Sequence, residues 1–304
     1  MTKHYYSFNN YLRKTFGVRV QRLSLDAGFS CPNLDGSLSN QGCTFCNNKA
    51  FSRYTESKRK PIKEQIKESI QFARKRYKAK KFIAYFQSFT NTYADIQTLG
   101  KKYNQIKGFK DIVGISVSTR PDCINKEKLN LLAEFSKDYK VYIEYGLQSV
   151  HDKTLAKINR KHNFKAFEDA LKLTKQYKNI HSAAHIILGL PGESKEEMLK
   201  TAKTLAKMLL WGLKIHCLHI VKNTILAQQY YKNKVKLLSK NQYLDILIDF
   251  LRLIPKDFVM LRLVSDANPK QLIAPKWLNQ KSKILTELDK RLKKENIWQG
   301  ELIN

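Results

Sequence analysis

Acidic residues are scarce in this sequence: 26 Asp and Glu stand against 56 Lys and Arg, leaving a formal charge of +30. Such a balance points to a polyanionic partner. Long apolar runs are missing as well. The longest, such as residues 183–188, fall far short of the roughly 20 residues a membrane span needs. The stretch Met-Thr-Lys-His-Tyr-Tyr at the start carries no apolar signal region, so a cytoplasmic protein without a membrane partner is expected. Cysteine is sparse, five in 304 residues. That count excludes a disulfide framework, and in a reducing compartment thiols serve as core residues or metal ligands. No Gly/Ser linker and no internal repeat divides the chain. A hydrophobic content of 42% with 15 Phe and 15 Tyr excludes disorder.

Three of the five cysteines fall in one window, Cys31, Cys43 and Cys46, at C-x11-C-x2-C spacing. Gly28, Pro32, Gly36, Gly42 and several Asn, Asp and Ser residues lie between and beside them, a composition that makes turns rather than a helix or strand. Three thiolates converging in a loop need something to hold. A four-iron cluster normally takes four cysteines, so three would leave one iron open for chemistry. A Cys3His zinc site completed by one of seven histidines and a redox pair at Cys43 and Cys46 are the alternatives. Cys123 and Cys217 read as small core residues.

The rest of the chain alternates. Apolar strand runs at 18–25, 82–87, 112–117, 141–146, 183–188 and 215–220 are separated by stretches with helical spacing, for example Ile62, Ile66, Ile70, Ala73 and Tyr77. Runs buried on both faces, alternating with helices, predict an α/β fold, a partial parallel (β/α)6 barrel over residues 1–220. Past 221 the rhythm breaks. A helix at 243–253, a strand at 259–264 and a polar helix near 281–294 predict a small α+β C-terminal domain, 221–304.

The polar residues gather at the carboxyl ends of these strands, the face that holds the active site of a parallel barrel. The cysteine loop follows the first strand, Gln87 and Ser88 the second, Ser118 the third. Glu144 and Gln148 close the fourth, His185 lies on the fifth ahead of the turn with Gly189 and Pro191, and His219 ends the sixth. Basic clusters at 58–60, 74–81, 157–165 and 232–240, interleaved with Tyr54, Tyr77, Phe164, Tyr230 and Tyr231, suit nucleic-acid binding.

On the three-cysteine loop, with Phe45 just before the last cysteine, the chain resembles the radical S-adenosylmethionine (SAM) superfamily. Its long first spacing resembles the Elp3-related branch that includes the bacterial YhcC/YtqA group. The resemblance implies a [4Fe-4S] cluster on Cys31, Cys43 and Cys46, with SAM on the open iron. It implies that Gln87 to Asn91 lie beside the methionine amino group, that Gln148 and Arg160 surround the methionine and ribose, that His185 is a ribose contact, and that the turn from Gly189 through Pro191 to Gly192 flanks adenine. It further implies a tRNA substrate modified at the wobble uridine, conversion of 5-carboxymethylaminomethyl-(2-thio)uridine to its 5-aminomethyl form, and a reductant such as flavodoxin or ferredoxin. Other substrates, and a zinc-stabilised RNA-binding protein, are the competing readings.

Overall fold

The computed structural model describes residues 3–47 and 60–303; Tyr54, Lys58 and Arg59, named above in the basic clusters, lie outside the described residues. Strands form at the buried runs: β1 (Val20–Leu25), β2 (Lys81–Phe86), β3 (Ile112–Thr119), β4 (Lys140–Gln148), β5 (Ile180–Leu188) and β6 (Gly212–Cys217), the last beginning three residues earlier than the run read at 215–220 and ending before His219. Three short strands follow, β7 (Ile220–Val221), β8 (Val259–Arg262) and β9 (Leu272–Ala274). Among the described residues the helices are α1 (Phe8–Phe16), α2 (Ile62–Tyr77), α3 (Ile96–Tyr103), α4 (Lys126–Phe135), α5 (Asp152–Lys157), α6 (Phe164–Thr174), α7 (Lys195–Ala206), α8 (Ile225–Tyr231), α9 (Lys240–Arg252) and α10 (Lys281–Lys294).

One sheet of seven strands, in the order β1-β2-β3-β4-β5-β6-β8, carries the fold, and each neighbouring pair is parallel. Helical crossovers between sequential parallel strands curl the sheet into a partial barrel. The six expected strands are joined by a seventh: β8, expected in the C-terminal appendage, pairs with β6 through Gly212 to Val259 and Leu213 to Met260. Its Val-Met-Leu run is buried, as a strand inside the main sheet requires. β7 and β9 make a separate antiparallel pair.

Helix α1 closes the amino-terminal end of the barrel. Ser7 caps its first turn, and Gly17 ends it at φ +68°, a conformation glycine adopts without penalty. Phe8 and Leu12 pack on Val20, Ile83, Tyr142, Ala183 and Val259, residues near the starts of five strands, while the Tyr11 ring stands 4.9 Å from Trp211. The opposite end, where strands give way to polar loops, is free to hold a site.

Candidate active site

The cysteine loop leaves β1 and folds back through tight turns. Gly42 donates its N–H to the Asn33 carbonyl at 2.7 Å; its φ is +71°, and a Cβ there would meet Leu34 Cδ2 at 2.6 Å, so only glycine fits. The turn after α5 pins the loop: Asn159 Nδ2 donates to the Gly42 carbonyl and Asn33 Nδ2 to the Asn159 carbonyl, both at 2.7 Å. Thr44 N–H reaches the Ile158 carbonyl at 3.0 Å, and Leu226 N–H of α8 reaches the Thr44 carbonyl at 2.8 Å. A loop without a core of its own is thus held by backbone bonds to two helices.

Cys31, Cys43 and Cys46 line one cavity of about 140 Å³ together with Ser118, Gln148 and Arg160. Burial pushes the Cys46 thiol up to about 12, and the nearby Cys43 and Cys31 thiols add to the shift. Thiols so placed are costly to ionise unless a cation shares them. Arg160 supplies part of the compensation, with Nη1 at 3.5 Å from Cys43 Sγ while Nη2 donates to the Gly146 carbonyl at 2.6 Å. Asn33 Nδ2 is 3.4 Å from the same sulfur, and its Oδ1 is buried without a partner. Among the described residues no three His, Cys, Asp or Glu close on a point where one metal ion could sit. Three thiols around one cavity, with no fourth cysteine in its wall, fit a cubane cluster with one open iron.

A larger cavity of about 370 Å³ adjoins it, sharing Phe45, Cys46, Ser118, Gln148 and His185. Gln87 and Ser88 line this one as well. A register shift between Gly146 and Gln148 breaks the β4–β5 ladder, and Gln148 sits at φ +78°; bulges of this kind re-aim side chains beside active sites. Gly189 and Pro191 lie in the turn after β5, outside the walls of both cavities. Gly189 N–H is 3.1 Å from Met198 Sδ.

Glu144 is buried deeper, among the inward side chains of the barrel. It accepts from Arg22 at 3.0 Å, Ser116 at 2.7 Å, Tyr85 at 3.1 Å, Lys214 at 2.9 Å and His185 at 2.6 Å. Burial opposes its charge, but Lys214 and Arg22 outweigh that and hold the carboxyl well below its ordinary value. Burial pulls Lys214 down to about 7, with Arg22 and Arg262 adding to it against the attraction of Glu144. Burial also lowers His185 to about 4, so it is neutral, donates from Nε2 to Glu144, and keeps Nδ1 as an acceptor.

Sequence reasoning brought the cysteines, Gln87, Ser88, Ser118, Gln148, Arg160 and His185 to this face, and the structure gathers them there. It did not single out Arg22, Tyr85, Lys214, His216, Arg262 or Asp266, of which the last five line the larger cavity. For all but Asp266, which lies beyond β8, the signal was a charged or polar residue inside an otherwise apolar strand.

Two basic runs flank the cysteine loop, because the elements that pin it carry them. Lys153, Lys157, Lys161 and Lys165 are exposed on and after α5, and Tyr231, Lys232, Lys234 and Lys236 at the end of α8. The run at 74–81 lies at the other end of the barrel, where Lys80 N–H bonds the Arg19 carbonyl ahead of β1.

A parallel partial barrel with a three-thiol loop at its mouth and a ligand-sized cavity against it is the plan of an iron–sulfur enzyme that binds an organic cofactor beside its cluster. The chain belongs to the radical SAM superfamily, whose model matches residues 38–205, with the radical SAM C-terminal domain matching 210–294. It is 35% identical over 299 residues to YtqA of Bacillus subtilis, covering 98% of this chain and 92% of the relative. It is 35% identical over 291 residues to YhcC of Escherichia coli, covering 95% and 93%. A more distant relative is the tRNA uridine(34) acetyltransferase of Dehalococcoides mccartyi, 24% identical over 157 residues, 51% of this chain and 33% of that protein. Among solved structures, Methanocaldococcus infernus Elp3 superposes with a TM-score of 0.67 at 16% identity, over 92% of this chain and 64% of the Elp3 chain.

Proposed function

We propose that this radical SAM enzyme modifies tRNA at the wobble uridine, converting 5-carboxymethylaminomethyl-(2-thio)uridine to 5-aminomethyl-(2-thio)uridine. The observation that carries the choice of substrate is the pair of exposed lysine runs, with Tyr231 beside them, flanking the cysteine loop. Such a rim suits a phosphate backbone with a base presented to the mouth. A distant relative named for tRNA uridine 34 supports the same reading. In this assignment Cys31, Cys43 and Cys46 hold the cluster. Gln87, Ser88, Ser118, Gln148, Arg160 and His185 hold SAM, while the turn carrying Gly189 and Pro191, outside the cavity walls, would reach it only at the adenine end. Glu144 fixes the tautomer and orientation of His185. When bound, the cluster and SAM supply one-electron cleavage of the sulfonium and, through it, hydrogen abstraction from carbon. A small reductant such as flavodoxin or ferredoxin provides the electron.

The test is anaerobic incubation of the reconstituted protein with SAM, reductant and total tRNA from a strain lacking it, followed by mass spectrometry of the nucleosides. Loss of 5-carboxymethylaminomethyl-uridine with gain of 5-aminomethyl-uridine and 5′-deoxyadenosine is expected. Formation of 5′-deoxyadenosine with an unchanged nucleoside profile would overturn the substrate. Cys31→Ala, Cys43→Ala and Cys46→Ala should each abolish cluster retention and activity, read as iron content and the visible spectrum; a retained cluster in any of them contradicts the ligand set.

A further inference from the structure

Two cations stand side by side in the wall of the larger cavity. Lys214 of β6 and Arg262 of β8 are register neighbours, and both line it. Like charges placed across a strand pair repel unless anions answer them. Lys214 is answered by Glu144 at 2.9 Å. Arg262 is answered far less well: its ion-pair partner among the described residues is Asp266, Nη2 to Oδ2 at 3.2 Å, and Lys281 holds the same oxygen at 2.5 Å. Asp266 is also 56% exposed, so solvent weakens its hold.

In this part of the barrel Arg22, Arg262 and Lys281 face the carboxylates of Glu144 and Asp266, one short of neutrality, and Lys214 widens the gap whenever it is protonated. The histidines do not alter the balance. Burial first, and then the charge of Arg262, hold His216 well below its ordinary value, and burial lowers His219 in the same way. Phe45, Ile187 and Leu218 supply apolar wall. A cavity with apolar wall and a net positive corner fits an anionic group on its ligand.

We infer that Arg262 takes the carboxylate of the substrate's carboxymethyl group, with Asp266 as the internal anion that competes for it. This deepens the proposed function and rests on it. The guanidinium presents a planar fork matched to a carboxylate. A phosphate of the tRNA backbone would satisfy the same fork, and the experiment separates the two.

Binding is measured with the anaerobically loaded protein and two anticodon stem–loops that differ only in 5-carboxymethylaminomethyl- or 5-aminomethyl-uridine at the wobble position. Wild type should prefer the carboxylated probe. R262Q should lose roughly 10- to 100-fold for that probe, the worth of a charge-assisted hydrogen bond, and nothing for the other. R262K should fall between. D266N, which removes the competing anion, should strengthen the preference, a change of opposite sign that loss of fold would not produce. No preference in wild type, equal weakening of both probes by R262Q (the signature of a phosphate contact), or weakening of the carboxylated probe by D266N would each overturn the inference. If R262Q fails to fold by circular dichroism, R262K and D266N carry the test. Nucleoside conversion is scored separately. Conversion without an Arg262-dependent preference leaves the function standing and removes the subsite, whereas preference without conversion keeps the subsite and removes the reaction.

Discussion

Glu144 receives hydrogen bonds from three cationic or imidazole side chains and two hydroxyls. Removing its charge takes from buried Lys214 and half-buried Arg22 the carboxylate each is paired with. Glu144→Gln should therefore cost about 3–5 kcal/mol, the range for breaking a buried ion pair from one side, read by urea denaturation at neutral pH. The pH dependence has a definite sign. The folded Glu144 carboxyl lies well below its unfolded value of 4.5, so its contribution is complete above that value and is lost as pH falls through the folded one. Wild type should lose stability on acidification below 4.5, and Glu144→Gln should show a shallower decline. The carboxylate itself was legible in the sequence as a polar residue on a buried strand. Its partners Arg22 and Lys214 were not, because a charged residue within a run read as buried on both faces carries no sign of what it faces, and only the assembled sheet brings both side chains to Glu144.

At the scale of elements, α1 separates what holds the barrel together from what it does. It covers the amino-terminal ends of the strands, while the thiol loop sits at the carboxyl ends. Phe8 is buried against Tyr142 and Trp211, with ring centroids 5.9 Å away in both cases. Phe8→Ala should cost about 3–5 kcal/mol in chemical denaturation, with iron retention in the folded protein unchanged; iron loss from folded protein would contradict this division of roles. Six strands were legible because each is a doubly buried run, the last five following a helical stretch, a pattern a parallel sheet imposes. β8 could be seen as a strand but not assigned to its sheet. It is only four residues long, and α8 and α9 intervene between it and β6, so no local periodicity records its pairing. The site suffered accordingly, since Arg262 is the last residue of that strand.

For the whole molecule the charge of +30 is spread unevenly with respect to the mouth. Runs on α5 and α8 flank it, while the α2 run lies at the far end. Binding to full-length tRNA should weaken by roughly 10³-fold or more between about 50 and 200 mM salt if six or more phosphates are contacted, measured by filter binding. A flat response would remove RNA as the partner. Composition gives the excess of positive charge; which clusters share a face depends on the crossovers and could only come from the fold.

The loop that carries Cys31, Cys43 and Cys46 is held by Ile158 and Leu226, and the cavity beside it is walled in part by Arg262. During synthesis the thiols therefore leave the ribosome long before the residues that shelter them. The cavity wall is completed by β8, the next-to-last strand in chain order among the described residues.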